Sequence, residues 1–183
     1  MRKTTWRKLV LCCLLLCVNL AFIWGNSILP GNISSQISSS VLGVIEKILS
    51  HPLFEKVSVK LINFFNELLG TSIPNQNVGH HLLRKMGHFT EFCWLGLTLT
   101  WMFLILEQKG IHQFTMPLVF GMLAACIDET IQLYSEGRAS SLVDVWIDTA
   151  GVCTGIILLL LGHALLTMRK HKKQQVHLEE TKT

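Results

Sequence analysis

An all-α, polytopic membrane protein is the fold class that this sequence predicts, and three observations predict it. The 183 residues are 50% hydrophobic and only 15% charged, with a mean hydropathy of +0.44, too apolar for an ordinary soluble domain. The apolar residues fall into four long runs, near residues 8–24, 86–106, 115–133 and 142–168, each close to the ~20 residues that a spanning helix needs. Basic residues gather at the two ends: Arg2, Lys3, Arg7 and Lys8 precede the first run, and Arg169, Lys170, Lys172 and Lys173 follow the last. An even number of spans puts both ends on one side, and their Lys/Arg excess predicts that this side is the cytoplasm. The net charge of +4 therefore reports topology. No interleaving of aromatic and basic residues points to nucleic acid.

Four segments follow in order: an N-terminal transmembrane helix (1–25), an extracytoplasmic segment (26–85), a three-helix membrane bundle (86–168) and a basic cytoplasmic tail (169–183). The first run starts behind a basic stretch, as a signal peptide would. However, Ala21-Phe22-Ile23-Trp24-Gly25 offers no small-x-small cleavage site, and Leu14-Leu15-Leu16 lacks the small residue expected before a lipid-modified Cys17, so a retained helix is expected. In the extracytoplasmic segment a serine-rich start leads into Ile37, Val41, Val44, Ile45 and Ile48 at helical spacing. Pro52 ends that helix. Phe54, Val57, Leu61, Phe64, Phe65 and Leu68 then define a second apolar face that stops at Gly70. Both stretches are too short and too polar to span, and amphipathic helices of this kind lie in the membrane interface.

The connections at residues 107–114 and 134–141 are short, so the last three spans are antiparallel neighbours in one bundle. The tail beyond Arg169 is basic and then acidic, with no apolar period, and reads as a solvated extension. Cys12, Cys13, Cys17, Cys93, Cys126 and Cys153 all lie inside apolar runs without a Cys-x-x-Cys pair. They are expected to be small buried thiols.

Polar residues interrupt the last three runs at matching levels. The second run begins with His88 and Glu91, the third ends with Asp128, Glu129 and Gln132, and the fourth begins with Asp144 and Asp148. At 1.5 Å per residue, Glu91, Asp128 and Asp148 all lie about 7–9 Å below the outer membrane edge. Asp144, Asp148, Gly151 and Gly155 form one helical stripe, and Gly121, Ala125, Asp128 and Gln132 form another. Small residues let membrane helices approach closely, so both stripes face the bundle interior. Arg84, His88 and Glu91 share a face of the second run.

A carboxylate at bilayer depth costs about 2.5–3.5 kcal/mol even on insertion scales, so these groups must face one another, a cation or water. They predict an acidic pocket open to the outside, lined by His88, Glu91, Asp128, Glu129, Asp144 and Asp148. Lys85, Gln132 and Arg138 form its ligand-binding rim. A histidine among crowded carboxylates suits acid–base work. The same oxygen-rich set suits Mg²⁺ or Ca²⁺, and His88 with Glu91 suits Zn²⁺, but no ligand spacing is specific and no metal ligand or cofactor is assigned. Buried ion pairs also serve simply to fix helix register. His80, His81 and His163 have no partner at helical spacing, and Trp94, Trp101 and Trp146 read as packing or interface anchors. No phosphate-binding glycine loop or nucleophile elbow occurs.

The run Lys85-Met86-Gly87-His88-Phe89-Thr90-Glu91-Phe92 with Leu95-Gly96 resembles the first signature of the VanZ-like membrane proteins. Asp128-Glu129-x-x-Gln132, Gly137-Arg138-x-Ser140, Asp144, Asp148, Gly151 and Gly155 resemble the second. Together they cover residues 84–160. Glu136 stands where the family pattern often has a proline. The resemblance implies a Gram-positive cytoplasmic-membrane protein, and the family's namesake is associated with resistance to teicoplanin, a glycopeptide that acts on wall precursors outside the cell.

The expected function is binding or modulation of an envelope component, such as a lipid-linked wall precursor, a lipid headgroup or a glycopeptide. A membrane-embedded acid–base or metal-assisted enzyme acting on such a precursor is the alternative. The inner halves of the spans are nearly all apolar, which argues against a transport path.

Overall fold

The computed structural model describes residues 3–30, 75–138 and 141–180, together with Glu67. The two amphipathic helices expected within 26–85 lie outside the described residues. Four helices account for nearly all that is described: α1 (Lys3–Ile28), α2 (Asn75–Ile105), α3 (His112–Leu133) and α4 (Leu142–Glu180). No strand occurs among the described residues. The all-α membrane bundle is the fold.

α1, α3 and α4 are each long and apolar enough to cross a membrane, α4 through the stretch Leu142–Lys170. α2 has the length, at 31 residues, but Arg84, Lys85, His88 and Glu91 dilute its apolar character. It packs against all three other helices, most extensively against α4, so neighbouring protein covers its polar groups. The outer surface of the bundle is apolar. Leu11, Leu14, Val18 and Phe22 of α1, Val119, Phe120, Leu123 and Ile127 of α3, and Leu158, Leu161 and Leu165 of α4 are exposed. Asp128, Gln132 and Asp148 are buried. Apolar outside and polar inside is the distribution that hydrocarbon selects.

Two helices run past their apolar stretches. α2 starts at Asn75, ahead of the span expected from Met86, and α4 continues to Glu180 through the tail expected to be a solvated extension. Between Arg169 and Glu180 there is no glycine or proline, and Arg, Lys, Gln, Leu and Glu are good helix formers. Backbone hydrogen bonding continues where hydropathy stops. The cysteines also depart from expectation: Cys12 is buried, but Cys13, Cys17 and Cys126 are exposed. An apolar run in a membrane helix can face lipid as readily as protein.

Glycines set how closely α2 and α4 approach. A Cβ at Gly151 would meet the carbonyl of Phe89, one at Gly155 the carbonyl of Cys93, and one at Gly96 the carbonyl of Val152. These are backbone contacts, and only glycine permits them. Around them Ile23, Phe92, Leu95, Leu99, Ala124, Ala125, Val152 and Ile156 form the apolar core.

α2 ends in a Schellman-type closure, with Gln108 N–H donating to Phe103 O and Glu107 N–H to Leu104 O, both at 3.1 Å. Glu107 takes the left-handed position at φ 58°. Between α3 and α4, Gly137 turns the chain at φ 73°. Ser141 then caps α4, accepting from Val143 N–H at 3.2 Å.

Candidate polar site at one end of the bundle

The end of α1, the middle of α2 from Lys85 to Glu91, the end of α3 and the start of α4 meet at one level of the bundle. Helix ends leave backbone carbonyls without helical partners, and α1 finds partners for its own in the α3–α4 turn. Arg138 Nη2 donates to Asn26 O at 2.9 Å, and Ser135 Oγ donates to Ser27 O at 2.7 Å. Side chains from the same two α1 residues enter the site. Asn26 Nδ2 donates to Glu91 Oε1 at 2.9 Å, and Ser27 Oγ donates to Asp128 Oδ1 at 2.6 Å.

Asp128, fully buried, is also held from its own helix. Gln132 Nε2, one turn on, donates to its Oδ2 at 2.9 Å. Glu129 turns the other way and accepts from Ser141 N–H at 2.9 Å, which ties the end of α3 to the cap of α4. Asp144, in the first turn of α4, pairs with Lys85 of α2 and also sits where the helix N-terminus favours negative charge.

His88 lies between two carboxylates. Its Nδ1 is 3.7 Å from Asp128 Oδ2 and 3.8 Å from Asp148 Oδ1, beyond hydrogen-bond length. Each of the three residues offers one ligand atom within 4.8 Å of those of the other two. Asp148 is fully buried, and among the described residues neither of its oxygens has a hydrogen-bond partner. Nδ1 of His88, Oε2 of Glu91, and Nε and Nη1 of Arg138 are likewise enclosed and unbonded among the described residues. Burial, with Arg84 nearby, lowers the pKa of Arg138 from its ordinary value, while Asp128, Glu91 and Glu129 oppose that shift.

The residues read from the sequence thus meet at one level but divide into small groups. His88, Asp128 and Asp148 face one another. Glu91 and Arg138 turn toward the end of α1. Glu129 and Asp144 secure the start of α4. Lys85, expected on the ligand rim, is engaged by Asp144, and Gln132, expected beside it, is 2% exposed and holds Asp128. Sequence reasoning missed Asn26, Ser27, Ser135 and Ser141. The first two carried a signal: they are polar residues at the C-terminal end of an apolar run.

No curated protein and no solved structure is similar enough to the chain to count as a match. A family model, described as VanZ/LLP1, matches residues 9–163, from the first turns of α1 through the apolar part of α4. It takes in Asn26 and Ser27, outside the 84–160 stretch that carries the resemblance. Matched over most of its length, and folded as a membrane bundle that closes α1 over the signature residues, the chain belongs to the VanZ/LLP1 family.

Proposed function

We propose that this VanZ-like protein sits in the bacterial cytoplasmic membrane with both termini in the cytoplasm and the polar end of its bundle facing outward. There it binds an anionic component of the cell envelope, a lipid-linked wall precursor or a lipid headgroup. Arg138 carries this reading. Asn26 O fixes one arm of its guanidinium, and Nε and Nη1 have no partner among the described residues. A planar guanidinium with donors to spare is suited to a phosphate or carboxylate. By occupying or presenting such a precursor, the protein alters the access of a glycopeptide such as teicoplanin to its target.

A second reading has its own observation. His88 between Asp128 and Asp148 suits proton transfer to or from a lipid-linked substrate, because a small closure brings the imidazole into hydrogen-bond range of either carboxylate. In that reading the protein is an enzyme and His88 its proton carrier.

The test replaces Glu91 by Gln, Asp128 by Asn, Arg138 by Gln and His88 by Gln, one at a time. Membrane abundance and teicoplanin susceptibility are recorded together, in a host where the intact protein has a measurable effect. The binding reading expects Arg138→Gln to abolish protection at normal abundance, with His88→Gln milder. The enzyme reading expects His88→Gln to be as severe as any. Lost abundance in all four variants would mean that the charges only hold the bundle together.

A further inference from the structure

We infer that His88, Asp128 and Asp148 together hold a divalent transition-metal ion, with Zn²⁺ the best chemical match. The inference concerns the same cluster as the proposed function but does not need that reading to hold. The first support is geometric. Ligands of a tetrahedral ion with bonds of about 2.1 Å stand about 3.4 Å apart, and His88 Nδ1 is 3.7 Å and 3.8 Å from the nearest oxygens of Asp128 and Asp148. Those separations are too long for hydrogen bonds and slightly longer than the spacing of two ligands on one ion, and the ligand atoms of all three residues lie within 4.8 Å of one another.

The second support is Asp148 itself. It is fully buried, its Oδ1 points toward the His88 imidazole, and neither oxygen has a partner among the described residues. An ionised carboxylate in such a place is costly, so Asp148 either carries a proton or is accompanied by a cation. The nearby cations are directed elsewhere, Lys85 to Asp144 and Arg138 to the carbonyl of Asn26. Glu91, Asp128, Glu129, Asp144 and Asp148 together outnumber Arg84, Lys85 and Arg138, so the cluster has room for a dication.

The donor set indicates which ion. One imidazole with two carboxylates suits Zn²⁺ or a neighbouring transition ion, whereas Mg²⁺ and Ca²⁺ favour oxygen donors alone. The surroundings also fit. Ligating carboxylates are themselves hydrogen-bonded in working metal sites, and Ser27 and Gln132 fix the two oxygens of Asp128. Three protein ligands on a tetrahedral ion leave one position for water or an oxygen of a ligand.

The experiment uses the full chain, purified in detergent without a histidine tag, stripped with a chelator and titrated with Zn²⁺. Bound metal per chain and thermal unfolding are both followed. Wild type is expected to take up one equivalent and to gain thermal stability from it. Asp148→Asn and His88→Gln should lose that equivalent and the stabilisation. Ser27→Ala should bind about tenfold more weakly. Arg138→Gln should keep the metal, so loss of an envelope ligand in that variant leaves the metal site tested separately.

Because a variant can fail to fold, stability in chelator is the second measurement. Asp148→Asn replaces a buried, unpartnered carboxyl by a neutral amide of the same shape, so it should be at least as stable as stripped wild type. The inference is overturned if folded wild type retains no more Zn²⁺ than Asp148→Asn. It is also overturned if Mg²⁺ displaces Zn²⁺ at equal concentration, or if Asp148→Asn is less stable than wild type with and without metal.

Discussion

Arg138 donates from Nη2 to the carbonyl of Asn26, 112 residues earlier in the chain, at 2.9 Å. The contact places a positive charge on the C-terminal end of α1, where the helix dipole favours one and where α1 has no basic residue of its own in its last turn. It leaves the other arm of the guanidinium enclosed and without a partner among the described residues. One side chain therefore both ties α1 to the α3–α4 turn and keeps buried donors without a partner among the described residues.

Arg138→Lys separates those two roles. A lysine keeps the charge and can reach one carbonyl, but it lacks the planar fork. Membrane abundance should stay within about twofold of wild type. Any activity that depends on two donors meeting one anion should fall at least tenfold, since a charge-assisted hydrogen bond contributes about 1.5–3 kcal/mol. Quantitative immunoblotting of membranes beside the susceptibility assay checks both halves.

The bundle was legible because apolar runs and small-residue stripes report directly on lipid exposure and helix contact. Asp128, Gln132, Asp148, Gly151 and Gly155 were placed on inward faces by spacing alone, and each is buried. Contacts made by helix ends were not legible. Nothing in local periodicity says that Asn26 and Ser27 would reach Glu91 and Asp128, because such pairs depend on how α1 docks. Nor could depth alone separate Lys85, engaged by Asp144, from Arg138, whose donors remain. Both sit at one level, and only the direction of each side chain distinguishes them.

Ser27→Ala should destabilise the bundle by about 1–3 kcal/mol, the cost of leaving a buried acceptor without its donor. Ser27 Oγ is 2.6 Å from Asp128 Oδ1 and both residues are buried. In an Asp128→Leu background the same change should cost little, because the acceptor is already gone. Unfolding in detergent across this double-mutant cycle should give a coupling of about 1 kcal/mol or more. A coupling near zero would show that α1 is not docked through this pair.

Gly155→Ala should be among the most damaging single-atom additions in α4. Its Cβ would meet the carbonyl oxygen of Cys93, backbone that cannot rotate away, so α4 must move from α2 at about 1–3 kcal/mol. Gly162 serves as the control, since among the described residues no neighbour lies within 4 Å of a Cβ built there. Gly162→Ala should be neutral or stabilising by about 0.5–1 kcal/mol through helix propensity. Thermal inactivation of the two purified variants should place Gly155→Ala below wild type and Gly162→Ala level with it or above.

Glu107 offers a stabilising change far from the polar site. It holds the left-handed position of the α2 closure at φ 58°, a conformation that costs an ordinary L-residue about 1–2 kcal/mol and glycine almost nothing. Part of that gain is returned because glycine gives the unfolded chain more freedom, so Glu107→Gly should stabilise by about 0.5–1 kcal/mol. Glu107→Val should do the opposite, since a β-branched side chain tolerates positive φ worst. The pair also tests the closure itself. If Gln108 N–H and Glu107 N–H pair with Phe103 O and Leu104 O as described, the two substitutions must move the unfolding midpoint in opposite directions, and both should leave metal binding and susceptibility at the other end of the bundle unchanged.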